Sequence, residues 1–126
     1  MSSLRVPALV ALAACIMAVP AGAAPVPFTY RAVVGKTGML GRHGGGVVSS
    51  EMVSRGNYLV DFASPVDTCT IVGTLGRATT AGGSFGKPGY ISATAAEVGS
   101  GSVVVHTSDL RGRPRDNAFH LLVACQ

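Results

Sequence analysis

From Phe28 onward the chain is written in short runs whose apolar residues recur every second position, and that period of two constrains the fold more than any other feature. The runs are rich in valine, threonine and aromatic residues and are punctuated by glycine, proline and serine. They span Phe28–Val34, Val47–Val53, Asn57–Ala63, Asp67–Leu75, Tyr90–Ala95, Ser102–Thr107 and Ala118–Cys125. No stretch of this region sustains the 3.6-residue period of an amphipathic helix, although Ala93 to Glu97 fits a helical turn as well as a strand. Short strands at this spacing predict an all-β fold, an antiparallel β-sandwich or jelly roll of about seven to eight strands.

Alternation also assigns faces. Tyr58, Val60 and Phe62 share one side of their run, as do Phe119, Leu121, Val123 and Cys125 in the last one. Val103, Val105 and Thr107 follow the same rule, and so do Cys69, Ile71 and Leu75. The opposite sides are less polar than a fully solvated sheet, with Leu59, Val72, Val104 and Leu122 on them. Two accounts fit: ordinary outward aliphatics, or a second buried surface formed by self-association.

The N-terminus sets the compartment. Arg5 supplies a positive charge, Val6 to Val19 is an apolar run broken only by Pro7, and Ala21-Gly22-Ala23 follows Pro20 as a small-x-small cleavage site. This is the build of a secretory signal peptide over residues 1–23, too short to span a bilayer. Residues 24–27 then form a short lead-in and residues 28–126 the domain. Leu12-Ala13-Ala14-Cys15 also resembles a lipobox, in which Cys15 would be lipidated and the protein anchored to the cell envelope. Export to the periplasm or beyond is common to both routes, and contact with a membrane is expected only through a lipidated Cys15.

A mature chain of roughly 100 residues suits one domain with little core to spare. Once Cys15 leaves with the signal, Cys69 and Cys125 remain, an even number in an oxidising compartment. Both fall on apolar faces, and antiparallel counting brings the start of the fourth run and the end of the seventh to the same end of the domain. An inter-sheet disulfide is therefore expected, worth roughly 4 kcal/mol on the chain-entropy account.

The full chain carries a net charge of +4, about +3 without Arg5, which is too mild for a nucleic-acid footprint. Several fragments invite catalytic readings. His43-Gly44-Gly45-Gly46 reads as an oxyanion-hole loop, and Gly82-Gly83-Ser84-Phe85-Gly86 fits G-x-S-x-G. Asp109 or Asp116 and then His120 complete a Ser-Asp-His order, which defines the alternative function, a small serine hydrolase acting through Ser84 and His120. The elbow of such enzymes needs a strand, a turn and a helix, however, and Gly86-Lys87-Pro88 cannot open a helix cleanly. No catalytic residue is therefore assigned. His106 and His120 are expected to project outward from neighbouring strands, but a third metal ligand is not evident and no metal or other cofactor is assigned. The glycine clusters lack the following helix that a phosphate cradle requires.

The most basic stretch is Arg111-Gly112-Arg113-Pro114-Arg115, flanked by Asp109 and Asp116 so that its local net charge is +1. It reads as a solvated turn or as a contact for an anionic surface such as lipopolysaccharide or acidic glycan. Strand counting puts this loop at the same end as the loop that holds Ser84 and Lys87. The candidate ligand-contact residues are accordingly Ser84, Lys87, Arg111, Arg113 and Arg115. Absence of tryptophan argues against a sugar-stacking platform.

One pattern runs through the second half of the chain. It comprises Gly56-x-Tyr58-x-Val60-x-Phe62, Val66-x-x-Cys69, Gly73, Val105-x-Thr107-x-Asp109-x-x-Gly112 and Asp116-x-x-Phe119-His120-Leu121, ending at Cys125. It resembles uncharacterised bacterial secreted proteins and is similar to the C-terminal β domains of tail-fibre-like and collagen-like bacterial proteins. The resemblance implies an extracellular β-sandwich used for structure or binding, with assembly as a trimer, and transfers no catalytic residue. The expected role is an exported structural or ligand-binding β domain.

Overall fold

The computed structural model describes residues 26–77 and 87–126, so the segment read as a signal peptide, Cys15 and Ser84 lie outside the described residues. Eight strands form two antiparallel four-stranded sheets packed as a β-sandwich. They are β1 (Phe28–Val34), β2 (Leu40–His43), β3 (Val47–Ser54), β4 (Asn57–Phe62), β5 (Thr70–Leu75), β6 (Tyr90–Ala95), β7 (Ser102–Ser108) and β8 (Phe119–Cys125). One sheet, here sheet A, has the order β2-β1-β8-β5, and sheet B has the order β3-β4-β7-β6. Of the stretch from Ala93 to Glu97, Ala93, Thr94 and Ala95 are strand, paired with Val105, Val104 and Val103, and Ala96 and Glu97 lie in the bend that follows β6. Among the described residues no helix is long and apolar enough to cross a membrane.

The inner layer follows from the alternation. Tyr58, Val60 and Phe62 from β4, Val103, Val105 and Thr107 from β7, and Phe119, Leu121, Val123 and Cys125 from β8 are all buried. Tyr30, Ala32 and Val34 of β1 join them, so the core is assembled from the two central strands of each sheet together with Val66 from the β4–β5 connection. Edge strands β5 and β6 contribute only partly buried residues such as Ile71, Leu75, Ile91 and Ala93. Valine dominates because a branched side chain fills a sheet-on-sheet layer at low rotamer cost. Two aromatic pairs fill the rest: Tyr58 meets Phe119 edge-on and Tyr30 stacks on Phe62, both at 5.1 Å between ring centroids.

One strand is not written in the alternation. Leu40-Gly41-Arg42-His43 has no β-branched residue, and it becomes β2 by pairing with β1 after a tight turn. Gly38 makes that turn at φ 87°, where an added Cβ would lie 2.3 Å from the Met52 nitrogen. Tertiary pairing thus overrides weak local propensity.

Cys69 and Cys125 form the expected disulfide, with Cα atoms 4.5 Å apart. Its placement corrects the inter-sheet expectation. Thr70 pairs with Ala124, so the bond joins neighbouring strands of sheet A at the point where the chain arrives from sheet B. The strand opening at Asp67 actually starts at Thr70, because a turn closed by Cys69 N–H donating to Val66 C=O precedes it. A disulfide is compatible with an oxidising compartment.

Candidate functional site

Strand alternation sorts the connections into two ends. The β1–β2, β3–β4, β5–β6 and β7–β8 connections leave the sandwich at one end, and the start of β1, the end of β8 and the β2–β3, β4–β5 and β6–β7 connections lie at the other. Charge follows this division. Lys36, Arg55, Arg77, Lys87, Arg111, Arg113 and Arg115 all lie at the first end, leaving only Arg31 and Arg42 elsewhere among the described residues. Asp67 and Glu97 belong to the other end, and Glu51 and Asp61 to the strands of sheet B.

Of the two aspartates at the cationic end, Asp109 pairs with Arg113 at 3.0 Å and with Arg115 at 3.9 Å, and both aspartates are drawn into the loop's own framework. Asp109 is 6% exposed. Its Oδ1 accepts the backbone N–H groups of Arg111 at 2.8 Å and Arg113 at 2.9 Å, and its Oδ2 accepts Arg113 Nε at 3.0 Å. The Arg113 N–H, aided by that of Arg111, holds the Asp109 carboxyl below the usual aspartate range against the opposing effect of burial. Asp116 Oδ1 accepts the Gly56 N–H at 2.7 Å, tying the β7–β8 loop to the β3–β4 turn.

Uncharged groups finish the frame. Thr107 Oγ1 donates to the Arg115 carbonyl at 2.5 Å, and Arg115 N–H returns to the Thr107 carbonyl at 3.1 Å. Asn117, also buried, donates from Nδ2 to the Lys87 carbonyl at 2.8 Å, which fastens the start of β6 to the same loop. Tyr58 reaches out of the core: its hydroxyl donates to the Lys36 carbonyl at 2.7 Å and accepts the Asn117 N–H at 3.2 Å. Burial pushes the Tyr58 phenol up, with the Asn117 N–H opposing. All four connections of this end are therefore linked by hydrogen bonds. Arg113 is 69% exposed in its side chain even while its Nε holds Asp109. Leu110, 60% exposed, and Pro88 form an apolar ridge between two shallow depressions of about 470 and 150 Å³ that the cations border.

Of the sequence candidates, Lys87, Arg111, Arg113 and Arg115 are brought together as expected, and Ser84 lies outside the described residues. Lys36, Arg55 and Arg77 join them without having been singled out. Each is isolated in sequence, and only counting strand directions with β2 included places them there. The two histidines are a correction. His106 and His120 both face outward, but β7 lies in sheet B and β8 in sheet A, so they project from opposite faces of the sandwich. The β7–β8 connection crosses between sheets, which sequence adjacency of the strands does not reveal. His106 is paired with Asn57 on the outside of sheet B, and His120 donates from Nε2 to the Arg77 carbonyl at 2.8 Å.

The groups of the hydrolase reading are likewise engaged with other partners. Asp109 holds its own loop, Asp116 holds Gly56, and His120 faces Arg77. His43 and its glycines occupy the end opposite the described flanks of the β5–β6 connection. Among the described residues no group of three or more His, Cys, Asp or Glu side chains is placed to hold a metal ion. The site is thus a rigidly framed cationic surface with an apolar ridge. No protein family, curated protein or solved structure matches this chain.

Proposed function

We propose that this chain is an exported binding module that docks on an anionic surface, such as lipopolysaccharide or an acidic glycan, through the cationic end of its sandwich. The observation that carries this reading is the sorting of charge. Every described Lys or Arg except Arg31 and Arg42 sits at one end, while Asp109 and Asp116 are turned into hydrogen bonds within it. Guanidinium groups outnumber ammonium groups there, and the planar fork suits phosphate, sulfate and carboxylate groups on a repeating polymer. The frame beneath them lowers the entropy cost of binding, since the loop need not be ordered on contact. Signal peptide and disulfide fit a role outside the cytoplasm.

The test is binding of the full mature chain to immobilised lipopolysaccharide across a salt series. Affinity should fall steeply with salt, and Arg111→Glu/Arg113→Glu/Arg115→Glu should lower it at least tenfold. Glu97→Gln, at the opposite end, should leave it within twofold. Equal losses from both variants, or no binding at low salt, would defeat the reading.

A further inference from the structure

The outer faces of the two sheets differ in a way that the cationic end does not explain. On sheet B, Asp61 accepts hydrogen bonds from Ser49 Oγ at 3.0 Å and Ser102 Oγ at 2.5 Å, and His106 pairs with Asn57. Its polar groups satisfy one another across strands and flank the outward pair of Leu59 and Val104, both only partly exposed.

Sheet A presents something else. The register sets Val72 beside Leu122 and Leu122 beside Arg31, then Thr74 beside His120 and His120 beside Val33. Val72 is 48% exposed and Leu122 41%, on paired strands rather than at a loop tip. Together with Arg42 on β2 they line an open depression of about 680 Å³, within the size range of small-molecule sites. No carboxylate lines it. An apolar floor bordered by two guanidinium groups and free of acid is complementary to a molecule with an apolar tail and an anionic head.

We propose that this face binds a single-chain amphipathic anion, of the medium-chain fatty-acid class. The tail lies over Val33, Val72 and Leu122, where it removes exposed apolar surface from water. The head meets Arg31 and Arg42, whose forks take a carboxylate in bidentate geometry. The proposal is independent of surface docking by the loops.

Isothermal titration of the full mature chain with decanoate, below its micelle concentration, tests the idea. Acetate serves as the head without the tail, and decyltrimethylammonium as the tail with the opposite charge. Decanoate should bind one to one, acetate undetectably, and the cation at least tenfold more weakly than decanoate. Leu122→Asp should lower decanoate affinity at least tenfold and Arg31→Gln/Arg42→Gln several-fold. Glu51→Gln on the outside of sheet B should change nothing, and the melting curve of each variant checks that it folds. Equal binding of decanoate and the cation would overturn the proposal, as would decanoate binding that survives Leu122→Asp or no binding at all. So would self-association of the ligand-free chain that Leu122→Asp abolishes, since a second copy would then cover the face.

Discussion

The two ends of this sandwich are closed by opposite means. At one end a covalent bond between Cys69 and Cys125 holds the arrival of β5 against the last residue of β8. Backbone bonds from Phe62 to Gly101, Ala63 to Gly46 and Val66 to Ser100 complete that closure. At the other end there is no covalent tie among the described residues. Asp109, Asp116, Asn117, Thr107 and the Tyr58 hydroxyl gather four connections by hydrogen bonds and by the ion pairs of Asp109 with Arg113 and Arg115. The difference has a physical logic. An end that concentrates arginine and lysine repels itself, and the groups that hold it must offset part of that charge or add none to it. Two inward carboxylates and three neutral side chains meet that need. The disulfide end carries no such charge and can rely on a bond that only a reductant breaks.

The largest expected effect separates the ends by chemistry. Cys69→Ala/Cys125→Ala should cost about 2–5 kcal/mol, read from thermal or urea denaturation. Salt-dependent binding to an anionic surface should survive wherever the variant remains folded, because the cationic frame is independent of the bond. If removing the bond accelerates amide exchange at Arg113 and Arg115 as much as at Val66 and Cys69, the ends are not separate units and the comparison fails.

Gly56→Ala addresses the other end. Gly56 sits at φ 72°, and an added Cβ would lie 2.5 Å from the Thr107 carbonyl oxygen and 2.9 Å from the Arg115 nitrogen. The strained backbone should cost about 1–3 kcal/mol. Faster exchange should appear at Arg113, Arg115 and Asn117 while the amides near Cys69 keep their protection.

How far these features were legible in the sequence depends on the range of the forces behind them. The inward faces of β4, β7 and β8 were written in strict alternation, which a half-buried strand obeys because burial acts on each residue separately. The cysteine pairing needed only parity and direction. Sheet membership was not legible. Whether a strand returns to its own sheet or crosses over is set by the whole layer, so the disulfide proved to lie within sheet A and His106 and His120 on opposite faces. β2 was hidden because its pairing with β1, rather than its own residues, makes it a strand. For the cationic end, Arg111, Arg113 and Arg115 were adjacent and visible. Lys36, Arg55 and Arg77 each stood alone in a different connection, and the inward turn of Asp109 and Asp116 left no compositional trace.

A single oxygen sharpens the comparison next. Tyr58→Phe keeps the ring that packs on Phe119 and removes only the hydroxyl that joins the Lys36 carbonyl to the Asn117 N–H. The loss should be about 1–2 kcal/mol, from two backbone groups left without their partner. It should loosen the β1–β2 turn and the start of β8 together, seen as paired chemical-shift and exchange changes at Lys36 and Asn117. Changes at one alone would show that the hydroxyl is not the link between them.

The smallest effect is the one that only pH reveals. The Asp109 carboxyl is held below its ordinary value of 3.8 by the N–H groups of Arg113 and Arg111. A carboxyl depressed in the folded state contributes stability that is fully present above the ordinary value and is lost as pH falls through the folded one. Above that window the wild-type chain should therefore be slightly more stable than Asp109→Asn, and the two should converge once the carboxyl is protonated in both folded and unfolded states. Urea midpoints measured from pH 7 down to the acid limit check the sign. Because Asp109 holds the loop of the cationic end, exchange at Arg111 and Arg113 should rise on acidification before exchange at Val66 and Cys69 after correction for intrinsic rates. A simultaneous rise would mean that acid opens the sandwich as one unit, and that the cationic end is no weaker than the covalent one.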